Sequence, residues 1–284
     1  MIDHPLGDSI RELAATPPGT TLPERTRDVV TELLDALERG ELRAAEKGDD
    51  GEWRAVPWVK QGILLAFRLG QIVDLSPQCS PRSFSFLDKD TMPPRQFALA
   101  DGVRVVPGGS TVRRGAYLSP GVVCMPPMYV NVGGWVGAGT MIDSHALVGS
   151  CAQIGARVHL SAAAQIGGVL EPINASPVVI ENDVVVGGNC GVYEGTVVRQ
   201  GAVLGAGVVL TRGTPVFDLV KECVYRGSAT RPLVIPADAV VVPGARRMRG
   251  TYAEAEGLSL QTPVIVKYRD DKTDLATTLE AWLR

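Results

Sequence analysis

The sequence predicts a mainly β fold, a left-handed parallel β-helix that follows an N-terminal helical domain and precedes a small extension of strands and a helix. Three observations carry this prediction. An apolar residue recurs at every sixth position between residues 106 and 216, the 284 residues include 32 glycines, and only 5% of them are aromatic. A strict period of six fits neither the 3.6-residue period of an α-helix nor the alternation of an ordinary strand.

The six-residue period runs in two blocks, separated by a displacement of two residues over 171–179. Its apolar positions are Val106, Val112, Leu118, Cys124, Val130, Val136, Ile142, Val148, Ile154, Leu160 and Ile166, then Ile180, Val186, Val192, Val198, Leu204, Leu210 and Val216. The residue after each one is often glycine or another small or polar residue, which suits a tight turn. We therefore expect three short segments and three turns per coil, with the apolar side chains filling a narrow triangular prism. The competing interpretations, a β-sandwich or another kind of solenoid, do not require a period of six.

The chain divides into three predicted domains: a helical cap over residues 1–100, the β-helix over 101–236 and a C-terminal extension over 237–284. Apolar residues at helical spacing predict helices over 23–39 and 56–69 of the cap, on either side of a glycine-rich turn. Residues 211–236 break the period and predict a loop that leaves the prism. In the extension, residues 236–248 and 262–270 predict strands and 275–284 a closing helix.

Composition excludes several classes of protein. A net charge of −3 gives no general attraction to nucleic acid, and no apolar stretch approaches the roughly 20 residues of a membrane-spanning helix. The five cysteines (Cys79, Cys124, Cys151, Cys190 and Cys223) lack paired spacing and follow no secretory signal, so we expect reduced thiols in the cytoplasm. Cys124 is expected in the core, whereas Cys151 and Cys190 are expected to be semi-exposed. No cluster has metal-ligand spacing, which predicts no catalytic metal.

Several strings of the repeat region resemble one enzyme family. They are RVVPGG (104–109), MYVNVGGWVGAGTMID (128–143), VGSCAQIG (148–155), VHLS (158–161) and IGGVLEP (166–172). Together with the cap segment LRAAEKGDDGEW, they are similar to the tetrahydrodipicolinate N-succinyltransferase family of hexapeptide-repeat acyltransferases. The resemblance implies CoA-dependent N-acyl transfer to tetrahydrodipicolinate or a 2-aminopimelate-like dicarboxylate, in lysine and diaminopimelate biosynthesis. It also implies a homotrimer, with succinyl-CoA or acetyl-CoA as cosubstrate and no permanently bound cofactor.

The resemblance implies site residues at particular positions. Arg104, Asp143 and Ser161 are the expected substrate-binding residues, and a guanidinium such as that of Arg104 matches a carboxylate of the acceptor. Asp143 is also the expected catalytic carboxylate, which orients or deprotonates the attacking amine. The candidate CoA contacts are Gly168, Gly188, Asn189, Gly205, Ala206, Arg246 and Arg247. The alternative for the two arginines is an exposed basic loop.

The sequence departs from the family pattern at Gly191, which aligns with the family's second catalytic carboxylate and cannot transfer a proton. Three interpretations stay open. Glu194, His145 or Glu171 takes the proton; the site uses another acyl donor or acceptor, such as acetyl-CoA in a specialised pathway; or the protein is a catalytically weak trimeric binding protein. Asn189 in place of a family arginine fits acetyl transfer, because the succinyl carboxylate needs a cation or donors. If only the base is lost, Gly191→Glu should raise succinyl transfer.

Overall fold

The computed structural model describes residues 4–76 and 85–270. Its cap contains α1 (Pro5–Ala14), α2 (Thr26–Glu38) and α3 (Pro57–Leu69), so both helices expected in this region are present and α1 was missed. The glycine-rich turn forms an antiparallel hairpin of β1 (Ala45–Lys47) and β2 (Trp53–Ala55), and β3 (Ile72–Asp74) pairs with β4 (Leu87–Lys89). Apolar side chains of the three helices form one buried cluster, which extends to Val132 and Cys151 of the repeat region. This cluster fixes the cap against the prism.

The repeat region and extension contain strands β5 to β26. In chain order they are β5 (Arg104–Val105), β6 (Thr111–Val112), β7 (Tyr117–Leu118), β8 (Val123–Cys124), β9 (Tyr129–Val130), β10 (Trp135–Val136), β11 (Met141–Ile142), β12 (Leu147–Val148), β13 (Gln153–Ile154), β14 (His159–Leu160), β15 (Gln165–Ile166), β16 (Val179–Ile180), β17 (Val185–Val186), β18 (Gly191–Val192), β19 (Val197–Val198), β20 (Val203–Leu204), β21 (Val209–Leu210), β22 (Val216–Asp218), β23 (Cys223–Tyr225), β24 (Val234–Ile235), β25 (Ala239–Arg247) and β26 (Ser259–Tyr268).

Every third strand joins the same parallel sheet, which gives the prism three faces. Face 1 is β6-β9-β12-β15-β18-β21, face 2 is β7-β10-β13-β16-β19-β24, and face 3 is β5-β8-β11-β14-β17-β20-β25. Most paired residues are 18 apart, as in Leu118 with Val136 and Ile142 with Leu160. In each two-residue strand from β6 to β21 the second residue is buried, whereas Val105 of β5 is exposed. This burial pattern confirms the left-handed β-helix and the inward six-residue positions between Val112 and Leu210.

At both ends of the prism, the six-residue period stops earlier than the sequence pattern suggested. At the first coil, Val105 rather than Val106 pairs with Cys124, so the register is shifted by one residue. At the last coil, the chain leaves the prism after Leu210, and Ile235 takes the place beside Val198 that Val216 was expected to fill. Val216 instead begins β22, which pairs with β23 and β26 rather than with β19, although its side chain stays buried in the core cluster of the prism. The predicted excursion after residue 211 is therefore confirmed, and it contains a hairpin.

The two-residue displacement that the sequence shows in the middle of the repeat results from an insertion between β15 and β16. Ile166 and Ile180 are 14 residues apart, where neighbouring strands of the prism are separated by six. The extra residues form a loop over 167–178. Its carbonyl of Ala175 accepts a hydrogen bond from the buried Lys60 Nζ at 2.5 Å, so α3 of the cap holds this loop.

The C-terminal extension is a long antiparallel hairpin. β25 and β26 confirm the two strands predicted there, with a short helix α4 (Thr251–Ala255) between them. β25 also closes face 3, because Val240 and Val241 pair with Val203 and Leu204. The closing helix predicted for 275–284, and Cys79, lie outside the described residues. Within the described ranges, no helix is both long and apolar enough to cross a membrane.

Candidate active site

One edge of the prism collects most of the predicted site residues. This edge, the 3–1 corner, is where the chain turns from face 3 to face 1 at residues 143–146, 161–164, 187–190 and 205–208. Backbone hydrogen bonds join successive turns: the N–H of Ala163 donates to Ser144 O at 2.8 Å, that of Asn189 to Ala162 O at 3.0 Å, and that of Gly207 to Gly188 O at 2.9 Å. Asp143, Ser161, Gly188, Asn189, Gly205 and Ala206 therefore lie in one column.

His145 and Asn189 occupy equivalent places in this column. Both have the left-handed backbone conformation, with φ of 62° and 56°, at the point where the turn bends towards face 1. Asparagine and histidine are enriched among the non-glycine residues that accept this conformation. Both residues are exposed, so their side chains border the open side of the corner. His145 thus lies two residues from Asp143 on the same turn.

Asp143 follows β11 directly and is half-buried. Its Oδ1 accepts the backbone N–H of Ser144 at 2.7 Å, which fixes the orientation of the carboxylate. No other hydrogen bond or ion pair from a described residue reaches this carboxylate. One carboxylate oxygen therefore remains available to a ligand, and Ser161 lies one coil further along the corner.

Arg104 lies on the adjoining face, near the N-terminal end of the prism. It is an exposed residue of β5 and pairs with Val123, which in turn pairs with Met141, two residues before Asp143. No described residue forms an ion pair or hydrogen bond with its guanidinium. Arg104 is thus free to bind an anion two coils away from Asp143.

Glu194, Gly168 and Glu171 lie at a different edge, the 1–2 corner, where the chain passes from face 1 to face 2. The strand β18 crosses face 1 between Asn189 and Glu194. The Oε2 of Glu194 accepts the backbone N–H of Arg212 at 3.0 Å, while Gly168 and Glu171 belong to the 167–178 loop. Within one chain, the structure therefore does not bring Glu194 or Gly168 beside Asp143.

The two C-terminal arginines belong to a strand that passes the 3–1 corner. The Nε2 of Gln261 on β26 donates to Gly207 O at 3.3 Å, and Val241 O on β25 accepts the N–H of Gly205 at 2.7 Å. β25 then continues to Arg246 and Arg247, whose partners on β26 are Leu260 and Ser259. The buried Nε of Arg246 has no hydrogen-bond partner, and Arg247 is exposed. Both arginines thus follow the corner at its C-terminal end.

Comparison with known proteins identifies the family. The family described as Tetrahydrodipicolinate N-succinyltransferase N-terminal matches residues 12–69, and the family described as Hexapeptide repeat of succinyl-transferase matches residues 177–212. A 2,3,4,5-tetrahydropyridine-2,6-dicarboxylate N-succinyltransferase of Paramagnetospirillum magneticum is 41% identical over 265 residues, which cover 91% of this chain and 90% of that protein. The chain belongs to this N-succinyltransferase family.

Two further members give the same result. The proteins of the same name from Afipia carboxidovorans and Polynucleobacter asymbioticus are each 40% identical, over 91% and 92% of this chain and 90% and 91% of their own. A crystal structure from Campylobacter jejuni, assigned as a 2,3,4,5-tetrahydropyridine-2-carboxylate N-succinyltransferase, aligns with 88% of this chain and 64% of its own, at 16% identity and a TM-score of 0.42.

In this member of the N-succinyltransferase family, Gly191 is the outward residue of β18 and the ring of Tyr193 covers it. Tyr193 was missed in the sequence analysis. Its position two residues after Gly191, an outward glycine, could have indicated that its ring covers that glycine. The sequence analysis also missed Gln165, whose Nε2 donates to His145 O and Ala163 O, each at 3.2 Å. Gln165 therefore supports the turn that carries His145.

The four cysteines that the structure describes in this N-succinyltransferase family member offer no activated thiol at the corner. Cys124 is fully buried, as predicted, but Cys151 and Cys190 are buried too, so the expectation that they are semi-exposed was wrong. Cys151 lies beneath the cap. Cys190 directly precedes β18, at a position of the repeat whose side chain also points inward. Burial raises the pKa of Cys124 and of Cys151 to about 12, and it raises the pKa of Cys190 as well.

Proposed function

We propose that this protein transfers the succinyl group of succinyl-CoA to the amine of tetrahydrodipicolinate or a 2-aminopimelate-like dicarboxylate, in cytoplasmic lysine and diaminopimelate biosynthesis. Membership of the N-succinyltransferase family over nine-tenths of the chain supports the reaction class. The single structural observation that carries the site is the 3–1 corner, where Asp143 and Ser161 lie in one column with Gly188 and Gly205.

The reaction needs no covalent acyl-enzyme. The acceptor nitrogen attacks the thioester carbonyl, an N–C bond forms, and the C–S bond breaks to release CoA. A 2-aminopimelate-like amine gives up one proton and the departing sulfur takes one. Tetrahydrodipicolinate is a cyclic imine, so water must first add across its C=N bond to supply the N–H that is then lost. Arg104 would bind an acceptor carboxylate, and the open oxygen of Asp143 would orient the amine or accept its proton, with His145 as the other candidate on the same turn. Holding both substrates at the corner supplies much of the rate through positioning.

The CoA contacts follow from the same geometry. Small residues at Gly188, Gly205 and Ala206 leave room for an extended chain along the corner, and Asn189 offers a polar side chain there. Arg246 and Arg247 at the C-terminal end of the corner would meet the CoA phosphates, which guanidinium groups bind well.

A homotrimer completes the proposal. Glu194 and Gly168 lie at the 1–2 corner, so they can join Asp143 only when a second subunit brings its 1–2 corner to this 3–1 corner. We therefore propose that each site forms between two prisms. In this arrangement the cap (1–100), the β-helix (101–236) and the extension (237–284) act as the units of one protomer.

Acetyl transfer is the second candidate, and a specific observation favours it. Tyr193 fills the outer surface beside Gly191, and Asn189 carries no charge where a succinyl carboxylate would need a cation or donors. A smaller acyl group without a carboxylate would need neither the space nor the charge.

Mass-spectrometric detection of acylated product tests the proposal. Tetrahydrodipicolinate and L-2-aminopimelate would each be supplied with succinyl-CoA and with acetyl-CoA in parallel. A thiol-detecting dye is unsuitable, because Cys223 is exposed. Succinylated product supports the primary proposal, acetylated product supports the second candidate, and no product with either donor contradicts both and favours a binding protein.

A further inference from the structure

A cavity of about 260 Å³ lies between the cap and face 2 of the prism. Arg43, Lys47 and Trp53 line it from the segment around β1 and β2, and Trp135, Gln153 and Glu181 line it from the prism. It is lined by none of the residues assigned above to the acceptor or to CoA. The cavity is therefore separate from the 3–1 corner.

Arg43 is held tightly in this cavity but is incompletely hydrogen-bonded. Its guanidinium carbon lies 3.8 Å from the centre of the Trp135 ring and 5.2 Å from that of Trp53, so the cation lies against two indoles. Its Nε donates to Gln153 Oε1 at 2.9 Å. Among the described residues, no acceptor binds its two terminal nitrogens. Burial lowers the pKa of Arg43 to about 10, with Glu46 opposing the shift, so the group stays charged at neutral pH.

The acidic group in the cavity wall is already occupied. The Oε1 of Glu181 accepts hydrogen bonds from Lys47 Nζ at 2.8 Å, from Trp53 Nε1 at 2.9 Å and from Arg199 at 3.1 Å. Its Oε2 accepts the backbone N–H of Gln200 at 3.0 Å. Glu181 is therefore engaged by other donors and forms no ion pair with Arg43, so the lining side chains carry two cations, Arg43 and Lys47, against one carboxylate.

A second polar group in the wall lacks a partner. The Nε1 of Trp135 is buried and no hydrogen-bond acceptor reaches it. A buried donor without an acceptor costs about 1–3 kcal/mol. The cavity thus combines an incompletely satisfied cation and an unsatisfied N–H with two aromatic walls.

We propose that this cavity binds a small organic carboxylate through the terminal nitrogens of Arg43. A planar carboxylate matches the planar fork of a guanidinium, and its oxygens can also accept from a neighbouring indole N–H. The aromatic walls favour an organic body over a bare inorganic anion. Because the cap supplies Arg43 and Trp53 while the prism supplies Trp135 and Gln153, the ligand stabilises the junction between the two units.

Titration of the full-length protein with glutarate, acetate and inorganic phosphate tests this proposal, with tryptophan fluorescence and the thermal midpoint as readouts. We expect glutarate or acetate to change the fluorescence saturably and to raise the midpoint by a few degrees, with phosphate less effective. Arg43→Met should weaken carboxylate binding at least about tenfold. Arg39→Met, which alters an exposed arginine of the same cap that is paired with Glu41, should leave it unchanged.

Two further variants keep the result decisive. Arg104→Met removes the expected acceptor-binding cation at the 3–1 corner, so carboxylate binding that persists in this variant belongs to the cavity. Trp135→Phe retains an aromatic ring but removes the N–H, and it should weaken binding even if Arg43→Met fails to fold. The absence of a saturable response up to about 20 mM, or a response lost in Arg104→Met and retained in Arg43→Met and Trp135→Phe, would overturn the proposal.

Discussion

The ring of Tyr193 occupies the space that a side chain at Gly191 would need. A Cβ at Gly191 would lie 2.4 Å from Tyr193 Cε2 and 2.9 Å from its hydroxyl oxygen, and a Cβ at Gly167 would lie 2.7 Å from Tyr193 Cδ1. The two glycines form a shallow seat for this ring on face 1. At the position that the family resemblance aligns with a second catalytic carboxylate, this chain therefore has a glycine, and the ring of Tyr193 covers it.

This relationship alters the outcome expected for Gly191→Glu. By itself, the substitution should not raise succinyl transfer, because the new side chain must first displace the tyrosine ring. Gly191→Glu combined with Tyr193→Val removes the ring and should raise the rate of succinyl transfer about tenfold or more, since a well-positioned proton-transfer group contributes about 10²- to 10⁴-fold. Steady-state rates with both acyl donors measure this, with Tyr193→Val alone as the control. Equal rates for the double variant and that control would remove residue 191 from the explanation.

Asp143→Asn should lower kcat by about 10² to 10⁴, because the amide cannot accept the proton of the acceptor amine. The hydrogen bond from the Ser144 N–H can persist to the amide oxygen, so the fold should be preserved. Asp183→Asn is the matched control, since Asp183 lies at another corner and pairs with Arg157. Product formation and size-exclusion chromatography are the measurements. A near-normal rate for Asp143→Asn would exclude this carboxylate from proton transfer.

Glu181→Gln should destabilise the junction of cap and prism at neutral pH by about 1–3 kcal/mol, as expected for a lost charged hydrogen-bond network. Burial raises the pKa of Glu181, but the bonds from Lys47 and Trp53 outweigh it and hold the pKa below its usual value. A carboxyl whose pKa is lower in the folded state stabilises the protein above the pKa of the unfolded chain, and loses that effect as the pH falls through the folded value.

Urea unfolding measures this effect at pH 7 and under acidic conditions. The difference in unfolding free energy between wild type and Glu181→Gln should shrink on acidification. Glu12→Gln breaks an exposed ion pair with Arg25 and should cost less than about 1 kcal/mol at either pH. A difference for Glu181→Gln that does not change with pH would contradict the lowered pKa.

Alkylation with iodoacetamide at pH 8 should distinguish the cysteines. Of the four described, Cys223 is exposed and should react, whereas Cys124, Cys151 and Cys190 are buried and should not. With a pKa of about 12, the Cys124 and Cys151 thiols are almost entirely protonated at pH 8, and the thiolate is the reactive form. Peptide mapping by mass spectrometry identifies the modified residues. Rapid labelling of Cys151 in the folded protein would show that the cap opens readily.

Local pattern predicted the fold and assigned several of the candidate site residues to turns of the repeat. A six-residue period places Asp143 and Ser161 in equivalent turns before the insertion, and Gly188 and Gly205 in equivalent turns after it. The period could not say which corner the second pair shares, or place Glu194, because that requires counting turns across an insertion of undefined course. It also missed the second inward position that buries Cys190, since small residues such as alanine and cysteine give a weak hydrophobic signal there.

The sequence by itself determined the prism, because each inward apolar residue and each small turn residue act locally and repeat every six positions. The resemblance to the family came from particular strings, such as VGSCAQIG and IGGVLEP, and not from the period. The tertiary structure alone decided which residue closes the last coil, since Ile235 rather than Val216 takes the place beside Val198. It also decided that Tyr193 covers Gly191 and that Arg43 meets Gln153, a residue 110 positions away. Such contacts depend on how insertions and the cap fold back on the prism, and no local periodicity encodes them.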